Sequence, residues 1–201
     1  MKIIGLTGGI ASGKSAVSTI LKDKYHLPVV DADVLAREAV APGSPGIAAI
    51  AEAFGPGVIA ADGSMDREKM GALMRADAGV RARLNAITHP LVEAAYEQAI
   101  AAYAAQGEAV VIYDCPLLFE ARQEERVDTV LLVTADEATR TSRIMTRDGC
   151  DLETARQKIA IQMPEADKMA RADAIIYNDG TLENLEACVA HCVRQFMADL
   201  N

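Results

Sequence analysis

The chain has 201 residues, 51% hydrophobic and 24% charged, with a net charge of −9. That composition suits one sizeable globular core with an inserted subdomain, and the acidic balance argues against a broad surface for nucleic acid or anionic membrane. No apolar run reaches the roughly 18 residues of a membrane span and no leader segment is evident, so a cytoplasmic location is expected. The chain opens on "KIIGLT" (Lys2 to Thr7), a buried-strand pattern that ends in glycines, followed by a helical pattern over 14–25. "LPVV" is a second apolar run closing on "DAD", residues 34–41 look helical, and "APGSPG" is a break. Positions 46–106 are alanine-rich and helical in pattern, with turns at "FGPG" and "ADGS" and only "GVIA" resembling a strand. "AVVIYD" (109–114), "DTVLLV" (128–133) and "DAIIYN" (173–178) are apolar, β-branched runs separated by helical segments. Buried strands alternating with helices predict an α/β fold with a parallel sheet covered on both faces.

The strongest motif is "GGIASGKS", which fits G-x-x-x-x-G-K-[ST] through Gly8, Gly13, Lys14 and Ser15. Glycines let such a loop turn successive N–H groups toward phosphate oxygens, and the helix that follows presents its positive end to the same anion. Backbone N–H groups from Ala11, Ser12, Gly13, Lys14, Ser15 and Ala16 are expected to hold a triphosphate. Lys14 would reach the β- and γ-phosphates and Ser15 Oγ would ligate Mg²⁺. Alanine at position 16, after the motif serine, leaves binding intact, since a backbone N–H is all that is needed there.

Other residues narrow the chemistry. No N-K-x-D base-reading motif occurs, which argues against a guanine-specific switch. Asp31 and Asp33 follow the second strand, where ligands bind in open α/β sheets. If the segment stays extended both point one way, and one could accept a proton from an acceptor hydroxyl; alternatively Asp33 caps the helix that begins at Val34. Asp114 ends a strand as a Walker B aspartate does, holding Mg²⁺, or else is a turn residue. Arg140, Arg143 and Arg147 share a helix face, either as lid cations over the phosphates or as part of a solvated mixed face. Lys158, Lys168 and Arg171 add to this local basic region. The four cysteines are irregularly spaced, and Cys188 and Cys192 in "CVAHC" are read as buried helix residues rather than a metal site.

Taken in order, "GLTGGIASGKSAV", "VVDADVLARE", "ITHPLV", "DCPLLFE", "SRIMTRDG" and "IAIQMPEADKMARADAIIYNDG" resemble the dephospho-coenzyme A kinase family over nearly the whole chain. The resemblance implies a P-loop NTPase fold with a five-stranded parallel sheet, a helical acceptor domain and a lid. The core would be residues 1–33, 107–135 and 166–201, the acceptor domain 34–106 and the lid 136–165. It implies ATP as co-substrate, Mg²⁺ as cofactor, and phosphorylation of the ribose 3′-hydroxyl of dephospho-coenzyme A, the last step of coenzyme A synthesis. Asp33 matches the family's proposed base. Arg143 and Arg147 match lid positions, whereas Arg140 sits beside them. His89 and Pro90 match the substrate-domain motif, the alternative for His89 being a packed or capping histidine. Leu117, Leu118, Phe119 and Glu120 would line the acceptor pocket, the alternative, above all for Leu117, being an apolar loop packed on the core; Asn178 and Gly180 would border the adenine. The implied partners are the two small-molecule substrates, without nucleic acid or membrane, in a monomer or small homo-oligomer. Another phosphoryl acceptor, or a nucleotide-binding regulator without turnover, are the rival readings.

Overall fold

A computed structural model describes residues 1–198 of the chain; the last three positions of the expected 166–201 core segment lie outside the described residues. Two compact units emerge, one of residues 1–30 with 103–201 and one of residues 31–102. The expected lid, 136–165, is counted with the first unit.

The first unit is built on a five-stranded sheet in the order β2-β3-β1-β4-β5. Its strands are β1 (Lys2–Gly8), β2 (Val29–Asp31), β3 (Val110–Asp114), β4 (Thr129–Thr134) and β5 (Ala174–Tyr177). β1 pairs in parallel with both β3 and β4, and β4 pairs in parallel with β5. β1 therefore lies where the strand order reverses, and the loop at its carboxyl end opens into the crevice such sheets offer to ligands.

One sheet face is closed by α1 (Lys14–Asp23) and α9 (Leu182–Ala198). Alternate strand residues Ile4 and Leu6, Val110 and Ile112, and Leu131 and Val133 pack with Val17, Leu21, Val189 and Phe196. Burial of this apolar surface is the main stabilising term for the unit. On the opposite face Gly5 admits its neighbours closely. A Cβ there would stand 3.0 Å from Val127 and 3.1 Å from Leu118. Helices α6 (Glu137–Asp148), α7 (Leu152–Ala160) and α8 (Glu165–Arg171) follow β4. α6 and α7 start on Asp136 and Asp151, whose carboxylates accept the third N–H of each helix. In α9, Cys192 is buried but Cys188 is exposed, contrary to the expectation that both are buried; the helix turns only one stripe to the sheet.

The second unit contains α2 (Ala32–Glu38), α3 (Pro45–Phe54), α4 (Arg67–Ala76) and most of α5 (Ala78–Ala105). Ile50, Val58, Met70 and Val80 form its small core, with Phe54, Leu84 and Ile87 packed against them. "GVIA" forms no sheet strand. It contains the end of a 3-10 turn, Pro56–Val58, and then a single antiparallel bridge between Ile59 and Met65. Among the described residues no helix is long and apolar enough to cross a membrane.

Candidate active site

Residues 9–13 form the loop between β1 and α1. Gly13 has φ +93°, and a Cβ there would overlap the Asn178 side-chain amide, so both dihedral and space call for glycine. Ala11 also takes a positive φ, 60°. Among the described residues, the N–H groups of Ala11, Gly13, Lys14 and Ser15 have no internal acceptor. Unpaired donors at a loop-to-helix junction form a cradle for an anion. Two donors expected in that cradle have other partners. Ser12 N–H donates to Gly9 O at 3.1 Å, and Ala16 N–H donates to Gly13 O at 3.0 Å to close the first helical turn. The Ser12 side chain is buried beside Gly8, with its hydroxyl unpaired.

Lys14 Nζ donates to Asp114 Oδ1. The carboxylate is nearly buried at the end of β3, beside the P-loop because β1 and β3 are paired in register from Lys2 with Val110 to Leu6 with Asp114. Ser15 is exposed on the first turn of α1. A serine hydroxyl and a carboxylate are hard oxygen donors of the kind Mg²⁺ takes with phosphate oxygens and water, so the residues fit that ion.

Arg140, Arg143 and Arg147 do share one face of α6, but they differ in role. Arg140 is 3% exposed and held inside the first unit. Its Nε donates to Ile10 O at 3.0 Å and its Nη1 to Glu165 Oε2 at 2.6 Å. Its guanidinium is therefore not available as a mobile cation over the phosphates. Arg143 donates to the carbonyls of Ala11 at 3.2 Å and Asn178 at 2.9 Å. Arg147 is exposed and grips its neighbour Asp148 with Nε at 2.6 Å and Nη2 at 3.1 Å. Arg147 and then Lys158 hold the Asp148 carboxyl well below the usual carboxylate range.

Asn178 has a different task from the one expected beside an adenine. Its Nδ2 donates to Ser12 O at 2.8 Å, its own N–H to Thr134 O at 2.8 Å, and its carbonyl receives Arg143. Gly180 is exposed, two residues on.

The segment "DAD" does not stay extended. α2 begins at Ala32, and Asp31 Oδ1 accepts the N–H groups of Asp33 at 2.8 Å and Val34 at 3.0 Å. Asp31, not Asp33, is thus the helix cap, and the two carboxylates part because the backbone curls between them. Asp33 is exposed in the first turn of α2, with no hydrogen bond to its carboxylate among the described residues. In the second unit His89 and Pro90 lie exposed inside α5, so His89 is neither packed nor capping.

The loop after β3 also departs from expectation. Leu118 and Phe119 are buried, whereas Leu117 is exposed as a pocket-lining side chain would be. Phe119 carries the Arg171 guanidinium 4.7 Å from its ring centroid. Glu120 Oε1 accepts Met163 N–H at 3.1 Å and stands 2.8 Å from Nζ of Lys168, which has no solvent exposure. That ammonium makes an ion pair without good hydrogen-bond geometry. Burial pushes the Glu120 carboxyl up, but the Lys168 ammonium and the backbone N–H groups outweigh it and leave the group below its ordinary value. Gly9, Gln162 and Glu165 are site residues that sequence reasoning missed; Gln162 and Glu165 stand in a stretch that carries the family resemblance, but no spacing marks them as partners of the loop.

A sequence model described as dephospho-CoA kinase matches residues 2–184. The chain belongs to the dephospho-CoA kinase family. Dephospho-CoA kinase of Geobacter sulfurreducens is 47% identical over 186 residues, covering 92% of this chain and 94% of that protein. That of Shouchella clausii is 47% identical over 181 residues, covering 90% and 91%. A Thermus thermophilus crystal structure matches with TM-score 0.79 and 33% identity over 100% of this chain and 98% of that one. A shikimate kinase of Bacteroides thetaiotaomicron shares the fold alone, with TM-score 0.51 and 17% identity over 98% of each chain. Membership of the dephospho-CoA kinase family makes the chain a kinase of coenzyme A biosynthesis, acting at its final step, on an α/β fold shared with other P-loop kinases.

Proposed function

We propose that the chain transfers the γ-phosphoryl group of ATP to the ribose 3′-hydroxyl of dephospho-coenzyme A. The observation that carries this reading is the anion cradle of Ala11, Gly13, Lys14 and Ser15 beside the Lys14–Asp114 pair, in a chain of this family. Lys14 leaves Asp114 to meet the β- and γ-phosphates as ATP enters. Ser15 and Asp114 would hold Mg²⁺, whose charge would offset that of the phosphate oxygens. Asp33 orients the acceptor hydroxyl and takes its proton; it fits that role because its carboxylate is exposed and uncommitted. Arg143 holds the loop carbonyls and fixes the cradle's outer wall, and Arg147 exchanges Asp148 for phosphate oxygens. Gly180 borders the adenine, while His89, Leu117 and Glu120 serve the acceptor side, Glu120 by anchoring the loop that carries Leu117. Positioning and charge stabilisation supply most of the barrier reduction in such a transfer.

The test is an acceptor panel with γ-labelled ATP. Label on the 3′-oxygen of dephospho-coenzyme A is expected. Label on other acceptors alone, or ATP binding without turnover on any acceptor, would sink the proposal. The same assay without Mg²⁺ checks the metal, and rate is expected to disappear.

A further inference from the structure

Ile10 sits inside the P-loop, between Gly9 and the left-handed Ala11. Its N–H donates to Gln162 Oε1 at 2.7 Å, and its carbonyl accepts from Arg140 Nε at 3.0 Å. Neither group has a backbone partner among the described residues. One residue of the loop is thus gripped at both its polar groups by side chains from a distant stretch of the chain. Arg140 is itself immobilised: Glu165 Oε2 takes its Nη1 at 2.6 Å, and the guanidinium lies so near Gly9 that a Cβ there would be 2.6 Å from Nη2. Gln162 lies in the connection from α7 to α8, and Glu165, beyond Met163 and Pro164, is the first residue of α8.

We propose that Gln162 and Arg140, the latter oriented by Glu165, are positioning residues for ATP binding. Together they fix the two peptide planes that flank Ile10. Ala11 is then held at a positive φ that alanine rarely adopts, and the N–H groups beyond it face the phosphates. Neither side chain is required to touch the nucleotide. The inference rests on the reading that this loop holds ATP.

The site beside Arg140 also supplies a test. A cavity of about 760 Å³ is lined by Arg140, Gln162 and Glu165, so a small cation can enter where the guanidinium has been removed. Gln162→Met and Arg140→Ala are compared with the wild type by titration with a fluorescent ATP analogue, by KM for each substrate, and by thermal unfolding. In both variants ATP affinity is expected to fall roughly tenfold, with kcat within about threefold of wild type and the acceptor KM unchanged. Guanidinium chloride at tens of millimolar, against sodium chloride of equal strength, is expected to restore affinity in Arg140→Ala and not in Gln162→Met. Wild-type ATP affinity in folded Gln162→Met overturns the proposal, whatever Arg140→Ala does, and the half-exposed position of Gln162 keeps that variant foldable. A loss in Arg140→Ala that guanidinium leaves unchanged overturns the positioning role of Arg140. A wild-type chain that fails to bind the analogue overturns the reading of the loop itself.

Discussion

Lys14 and Asp114 are paired across the mouths of β1 and β3, the first residue of a helix with the last residue of a strand. The pair stores a cation beside the empty-handed N–H groups of the loop and keeps a nearly buried carboxylate compensated. Replacing Lys14 by Ala is expected to cut kcat/KM for ATP by roughly 10²–10³. Asp114→Asn is expected to raise the Mg²⁺ concentration for half-maximal rate about tenfold, by analogy with the loss of one outer-sphere ligand. Steady-state rates across a Mg²⁺ series check both.

Asp33→Asn keeps the exposed side chain's size and removes its basicity. Turnover is expected to fall by roughly 10²–10⁴, with KM for ATP nearly unchanged. Full turnover would assign the proton to another group.

Gly13→Ala meets two obstacles, a φ of +93° and the Asn178 amide. The variant is expected to lose about 2 kcal/mol of stability or more in urea unfolding, together with ATP binding. Adding Asn178→Ala removes the steric part and leaves the dihedral part, so stability recovers in part and the dihedral strain persists.

Arg143→Ala and Arg147→Ala separate holding from transfer. Arg143 serves carbonyls on both sides of the cradle, so its loss is expected to lower stability by about 1–3 kcal/mol and to weaken ATP binding. Arg147 is exposed and pairs with Asp148 alone among the described residues. Its loss is expected to leave the unfolding midpoint in place and to lower kcat. Parallel unfolding and rate measurements distinguish the two.

Glu120 gives a pH signature. Its folded-state carboxyl lies below the ordinary 4.5, chiefly because the Lys168 ammonium outweighs the cost of burial. A depressed folded value means the contribution to stability is complete above that ordinary value and is lost as pH falls through the folded one. The gap in melting temperature between wild type and Glu120→Gln is therefore expected to be flat from neutral pH down to about 5.5 and to close below about 4.5. A gap that persists in acid would remove the ion pair as its cause.

The sheet was legible in the sequence because its strands are short apolar runs with glycines or aspartates at their mouths, and "GGIASGKS" announces its own loop. Chain-distant partners were not legible. Arg140 shares a helix face with Arg143 and Arg147, yet helical spacing cannot tell a guanidinium buried against Ile10 from one in solvent. Leu117, Leu118 and Phe119 are consecutive apolar residues on a loop, where no periodicity sorts the exposed one from the two that pack. "DAD" misled for a local reason: the aspartate that accepts two N–H groups ends the strand at Asp31, two residues earlier than its alternation suggests.

That cap has a kinetic meaning. Asp31 spends an oxygen on the start of α2, and Asp33 is left as the single uncommitted carboxylate of the pair. The two aspartates should therefore answer to different measurements: Asp31→Asn is expected to loosen the start of α2, read in thermal unfolding, and to change turnover far less than Asp33→Asn does.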